Sequence, residues 1–363
     1  MADIQPVSRD GLIICACRGR EYNVRDAIDA ALFRGELKAI WKEFLCNIKA
    51  EEQAKELDLE PDDDAISETA ESFRYEHDLI TAEETELWLH DRGLTLEDFS
   101  DYFARRYWRT SLEEKISAEN IGLVSAADEL RQLFATELIF AGELDRLTKQ
   151  LTWRLAALAA SKQEDVDPQQ LRAERRRFLD RSEIKGSKLT DWLDHIGRNE
   201  QWLEEMLAME AAYRRDHESV LTAEARKKQL AMLRMPMTRF EAEMIEVESL
   251  DAAREALFCI REDGMSMEEL AVEARYPYRR ITFRHENVPP DWQQRFWSVG
   301  AGDLLEPLPR DEGFELYRIT KKSEPDLSDT IVQERIDQRL LERHFAALAS
   351  EHVQERLQAV STE

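Results

Sequence analysis

Apolar residues recur along most of this chain at three- and four-residue steps, the spacing that gathers side chains on one face of an α-helix. Leu37, Ile40, Trp41, Phe44, Leu45 and Ile48 form one such stripe and predict a helix from about Glu36 to Lys55. Ahead of it, the apolar run Leu12–Cys17 reads as a strand and Arg18–Tyr22 as a turn. Asn23 then reads as the N-cap of a helix that runs through Phe33 and stops at Gly35. Leu130, Leu133, Phe134, Leu138, Phe140, Leu144, Leu147, Leu151 and Leu155 sustain a helical period from Ala126 to Lys162. A last periodic stretch predicts a long helix over Leu327–Ala359, with Ile331, Ile336, Leu340, Leu341, Phe345, Leu348 and Val353 as its apolar positions.

The pattern changes near Met235-Pro236-Met237. Phe240–Val247 alternates as a strand does, and Ser249 caps a helix over Leu250–Asp263 that Gly264 closes. A short helix over Ser266–Ala274, a strand at Ile281–Phe283, and a helix begun by Pro289-Pro290-Asp291 and ending near Trp297 follow. After Gly300–Gly302, the run Gly313–Ile319 is the clearest strand signal in the chain.

One pattern occurs twice. Pro61, Phe73, the run Trp88-Leu89-His90-Asp91-Arg92-Gly93 and Phe99 are matched by Pro168, Phe178, Trp192-Leu193-Asp194-His195-Ile196-Gly197 and Leu203. The Trp-to-Gly spacing is the same in both, which suggests a duplicated helical unit, with coincidence between amphipathic helices as the alternative. The tryptophans, set among Leu and Phe at helical positions, read as core anchors.

Composition narrows the function classes. The formal net charge is −26 over 363 residues, a field that repels phosphate backbones and anionic lipid, so neither nucleic acid nor stable membrane insertion is expected. A basic or neutral polypeptide would be attracted; the alternative is that the charge only maintains solubility. No apolar run approaches the ~20 residues of a membrane helix, and no export signal is evident at Met1–Arg20. The four cysteines, Cys15, Cys17, Cys46 and Cys259, have apolar neighbours and no disulfide pattern, which suits a reducing cytoplasm. Cys15 and Cys17 form a CxC pair, read as part of a half-buried strand. The seven histidines are scattered with no metal-ligand spacing, and no nucleotide or nucleophile motif occurs, so no metal, cofactor or catalytic residue is expected. The cluster Arg172–Arg177 reads as a solvated face paired with nearby acids, and Asp62-Asp63-Asp64 as acids at a helix N-terminus.

Residues 240 to 322 resemble the parvulin domain of peptidyl-prolyl isomerases. The likeness is carried by Ala253-Arg254-Glu255-Ala256 with Asp263–Ala271, by Val288-Pro289-Pro290-Asp291-Trp292, by Gly302–Pro307 and by Gly313–Ile319. With helices on both sides, the arrangement is similar to that of SurA-type and PrsA-type foldases. The resemblance implies a mainly α chain: a helical SurA-like region over 1–125 and 126–235, an α+β parvulin-like module over 236–322, and a C-terminal helix over 323–363 packing back on the helical region. It also implies a peptide-binding cleft around Met244, Phe283, Val288, Trp292, Phe296 and Glu315. Two departures bear on activity. The family pattern has a histidine on its first strand and another on its last, and Met244 and Glu315 stand at the matching positions. The segment at Tyr276–Asn287 is also short. The expectation is a SurA-like chaperone or helper that binds unfolded or precursor polypeptide without efficient catalysis. The alternatives are an active isomerase and a non-catalytic scaffold.

Overall fold

The computed structural model describes residues 11–112, 122–123, 126–161, 167–182, 184–310 and 312–358. The chain is mainly α-helical with two small antiparallel sheets, and it divides into two compact units, one of residues 1–217 with 344–363 and the other of residues 218–343.

In the first unit, β1 (Ile13–Cys17) and β2 (Arg20–Asn23) make a hairpin. Arg18 and Gly19 both have positive φ, 49° and 79°, as the tightest hairpin turns require. The stretch expected to be only a turn is therefore mostly strand: Arg20–Asn23 lacks an alternating pattern, and its pairing with β1 supplies the structure. On the other side of β1 lies β7 (Val353–Gln358), giving the order β2-β1-β7. The expected terminal helix accordingly ends at His352, and the residues after it are a strand. Helical spacing could not reveal this, because the hydrogen bonds that hold β7 come from residues more than three hundred positions earlier.

Asn23 caps the first helix, Val24–Arg34, as expected, and Asp26 completes a reciprocal capping box. Gly35, at φ 72°, ends it. The helix Lys38–Glu56 follows, with Trp41, Phe44 and Leu45 buried. The periodic stretch Ala126–Lys162 is two helices, Asp128–Phe140 and Glu143–Ala160, because Gly142 turns left-handed (φ 69°) between them.

The duplication extends further than the sequence pattern indicated. The succession 24–34, Gly35, 38–56, 63–76, 82–91, 96–111 recurs as 128–140, Gly142, 143–160, 168–182, 189–195, 200–220. Gly93 and Gly197 both sit at φ 65°. Behind each glycine the next amide donates back to an equivalent leucine carbonyl, Leu94 to Leu89 and Arg198 to Leu193, which is the same helix-stop motif. The Phe–Trp contact repeats as well, edge to face at 5.5 Å for Phe73–Trp88 and 5.3 Å for Phe178–Trp192.

The first helix of each copy packs into the other copy. Phe33 stacks on Phe178 at 4.5 Å and meets Trp202, while Phe140 meets Phe73, Trp88 and Tyr102. The two copies therefore share one core.

In the second unit, β3 (Arg239–Val247), β4 (Tyr278–Arg284), β5 (Leu308–Arg310) and β6 (Gly313–Ser323) form an antiparallel sheet in the order β4-β3-β6-β5. Alternation along β3 sends Phe240, Ala242 and Met244 to one face and Ile245 and Val247 to the other. Helix Pro290–Ser298 covers the first face, and helices Leu250–Arg261 and Met267–Ala274 cover the second. Helix Ala223–Met237 runs through Pro236, and its Leu233 and Met237 pack on Val332, Ile336 and Leu340. The expected boundaries at 235/236 and 322/323 thus fall inside this unit, which extends to Glu218 and Arg343. Proline ends a helix signal in sequence, but one in the last turn removes only a single backbone donor.

Cys15, Cys17 and Cys46 are buried free thiols, and burial pushes the Cys15 thiol up to about 12. A thiol-specific reagent on the native protein is expected to label half-buried Cys259 first and the other three only on unfolding. Mass spectrometry of the labelled peptides checks this; early modification of Cys15 would contradict it.

Candidate functional site

The candidate site lies on the sheet face beneath helix Pro290–Ser298. Met244 points from β3 to this face and stands directly across from Tyr317 on β6. Phe283, on edge strand β4, lies opposite Phe240 and stacks on it at 5.5 Å. Val288 precedes the Pro289-Pro290 start that fixes the helix entry, and Trp292 and Phe296 share one side of that helix by i,i+4 spacing. The structure brings Met244, Phe283, Val288, Trp292 and Phe296 into one apolar cluster.

That cluster is closed at its centre. Phe296 meets Phe283 edge to face at 5.3 Å and Tyr317 at 5.2 Å. Met244, Val288 and Phe296 retain only 6%, 5% and 1% exposure, while Phe283 and Trp292 are half-buried at the margin. A closed aromatic cluster of this kind contributes mainly packing, with ring pairs adding ~0.5–1.5 kcal/mol each beyond buried area.

Glu315 lies two residues from Tyr317 and shares its face, opposite Glu246 rather than Met244. The Tyr317 hydroxyl donates to Glu315 Oε2 at 2.6 Å, and burial, then this bond, raise the phenol further above its ordinary value. Arg310 sits 3.0 Å from Glu315 and 3.3 Å from Glu246. Tyr317, Glu246 and Arg310 escaped the sequence reading. The i,i+2 spacing of Glu315 and Tyr317 was a usable signal, but the cross-strand register that adds Glu246 and Arg310 exists only in the folded sheet.

The imidazole of His285 lies at the end of β4, where Nε2 bonds the Gln293 carbonyl at 2.9 Å and the ring packs between Phe240 and Trp297. These contacts use it to hold the turn that follows the strand. Lys322 similarly donates to the carbonyls of Trp297 and Val299 and lies 4.8 Å over the Trp297 ring; desolvation holds its pKa below the ordinary lysine value.

Beside the closed cluster there is an open cavity of about 430 Å³. Phe283 reaches it from β4, Met237 and Ile331 supply further apolar wall, and Arg284, Glu241 and Asp329 are among its charged groups. Phe283 is thus the one predicted site residue that belongs to both the cluster and the opening. Among the described residues β4 pairs only with β3, so its outer edge is free, and the cavity lies over the sheet where β3, β4 and β6 each contribute to its wall.

Among the described residues, no group of three His, Cys, Asp or Glu is placed to hold a metal ion, and no helix is long and apolar enough to cross a membrane.

No family model and no curated protein sequence matches the chain. Solved structures of PrsA and SurA-like proteins do. The chain is similar to a PrsA peptidylprolyl isomerase from Bacillus cereus, with 14% identity over 62% of this chain and 90% of that one and a TM-score of 0.33. It is similar to PrsA from Bacillus subtilis, with 16% identity, 62% and 87% coverage and a TM-score of 0.21. It is also similar to a SurA-like chaperone of Campylobacter jejuni, with 11% identity, 59% and 86% coverage and a TM-score of 0.20.

Proposed function

We propose that this chain is a chaperone-type helper that binds extended polypeptide, unfolded or in precursor form, and does not isomerise proline efficiently. The observation that carries the reading is a contrast within the second unit. The aromatic face is filled by its own side chains, with Met244 facing Tyr317 and no imidazole between them, whereas an open cavity of about 430 Å³ is lined by Phe283 and by the alternate sheet residues Arg239, Glu241, Thr282 and Lys321. Lowering the ~18–20 kcal/mol barrier to amide rotation requires a site that encloses and twists the Xaa-Pro bond. A cluster whose centre is Phe296 has no room for that bond. Holding an extended chain demands less: an unpaired strand edge for backbone hydrogen bonds and a few pockets for alternate side chains. β4 offers an edge, and the largely charged cavity offers apolar wall at Met237, Phe283 and Ile331 beside polar groups that suit a mixed polypeptide. The proposal includes a cytoplasmic setting, which the free thiols of Cys15, Cys17 and Cys46 suit.

A protease-coupled assay on short Xaa-Pro peptides is expected to give no acceleration above the uncatalysed rate. A photo-crosslinking amino acid at Ile331, exposed on the cavity wall, is expected to capture a permanently unfolded model protein and not its folded counterpart. Clear catalysis that Trp292→Ala abolishes would establish the isomerase instead. Adducts formed only with folded proteins would favour a scaffold.

A further inference from the structure

The duplication in the first unit supplies an internal control for its surface. Residues 58–98 and 162–202 occupy equivalent places in the two copies. The first stretch holds fifteen Asp and Glu against two Arg, a net −13 and half the charge of the whole chain; the second holds nine of each sign and is neutral. The repeated helical frame therefore forms with either charge. The same contrast holds for apolar exposure. Tyr75, Ile80, Leu87 and Leu96 are more than half exposed in the first stretch, whereas no described residue of the second is a large hydrophobic so exposed.

Asp62, Glu84 and Asp98 cap helices, but most of the acidity and all four apolar side chains of the first copy are left at the surface. Its two arginines are engaged locally, Arg74 with the carbonyls of Leu79 and Ile80 and Arg92 over the Trp88 ring. Among the described residues, none of its exposed carboxylates lies within ion-pair distance of a lysine or arginine, whereas the second copy pairs Arg175 with Glu200 and Arg214 with Glu174. Tyr75 and Ile80 line a shared hollow of about 150 Å³ formed by the end of helix Asp63–Glu76 and the turn that leads to helix Ala82–Asp91. Leu87 stands on the second of those helices, one turn from Glu83. Uncovered apolar side chains beside an excess of charge of one sign mark a surface for a partner of the opposite sign.

We infer that helices Asp63–Glu76 and Ala82–Asp91 form a docking surface for a basic polypeptide segment that carries apolar side chains. Apolar residues of the segment sit against Tyr75, Ile80 and Leu87, and its lysines or arginines face the surrounding carboxylates. A second copy of this chain is the wrong occupant, since it brings a net −26 to an already acidic face. The surface is distinct from the cavity at Phe283 and stands independently of the client-binding reading.

The test uses the full chain and two synthetic fluorescent peptides of one apolar pattern, the first with lysines and the second with glutamates between the apolar positions. Fluorescence anisotropy is expected to show binding of the basic peptide only, weakening at least about tenfold as salt rises from low to high ionic strength. The variant Ile80→Ser/Leu87→Ser is expected to lose about tenfold in affinity, the order expected for two apolar side chains no longer covered. Glu71→Gln/Glu83→Gln/Glu86→Gln is expected to flatten the salt dependence. Arg175→Gln/Arg176→Gln, on the equivalent helix of the other copy, is expected to leave binding unchanged. The Ile331 crosslinking described above is read in parallel and is expected to be unaffected by all of these substitutions. The inference is overturned if the two peptides bind alike, if the basic peptide binds the Ile80→Ser/Leu87→Ser variant as well as the parent, or if sedimentation shows the parent self-associating through this face.

Discussion

Gly313→Ala is expected to destabilise the second unit by about 3 kcal/mol or more, the combined scale of left-handed backbone strain and overpacking against a rigid neighbour. Gly313 opens β6 at φ 110°, and a Cβ there would lie 2.4 Å from the carbonyl oxygen of Val247. That oxygen belongs to the end of β3, the strand to which β6 is paired along most of its length. No side-chain rotation relieves the clash, so the β3–β6 ladder must separate where Val247 meets Phe314. Domains are stable by ~5–15 kcal/mol, so the variant would keep only part of the unit's margin. Urea unfolding followed by tryptophan fluorescence reads it, since Trp292 and Trp297 are the tryptophans of this unit. An unshifted midpoint would mean that β6 does not start where it is placed here.

Arg198→Met is the second large effect, and it belongs to the first unit. Arg198 follows the Gly197 stop, donates through Nε to Asp29 at 2.6 Å and through a terminal nitrogen to Asp26 at 2.9 Å, and so ties the second copy to the first helix. Asp29 is 8% exposed, and its other cation, Arg25, is 3.7 Å away. Removing one partner of a buried pair leaves the other charge desolvated, a loss of about 3 kcal/mol. The pH dependence has a definite sign. Burial holds the Asp29 pKa above its ordinary value even with Arg198 opposing, and the substitution raises it further. Between the unfolded and folded pKa values the native state binds more protons than the unfolded state, so stability falls as pH rises through that window. The deficit of Arg198→Met is therefore expected to be fully developed at neutral pH and to shrink as pH falls toward the ordinary carboxylate range. Paired thermal melts of parent and variant across that range check it; a deficit that grows on acidification would refute the assignment.

The closed aromatic cluster and the open cavity also change how the expected site residues should be probed. Phe296→Ala in the cluster interior is a stability mutation before it is a binding mutation, because it empties a buried ring site. Substitutions at Phe283 and Ile331, which reach the opening, separate binding from folding more cleanly.

The sequence by itself determined what depends on neighbours a few residues apart. Helix caps such as Asn23 with Asp26, stops such as Gly35, Gly93 and Gly197, and the amphipathic stripe through Trp41 and Phe44 are local competitions, decided by φ preference and by which orphan amide finds an acceptor. The mainly helical class, the repeated Trp-to-Gly run and the β3 and β6 strands followed from the same short-range rules. Tertiary structure decided everything that requires a distant partner. Val353–Gln358 is a strand because β1 offers it an open edge, and the first helix of each copy finds its aromatic partners in the other copy, a pairing that no spacing within either copy encodes. The expected peptide cleft is packed with Phe296 at its centre while space opens beside Phe283, since periodicity assigns a side chain to a face but cannot say whether the facing element fills it.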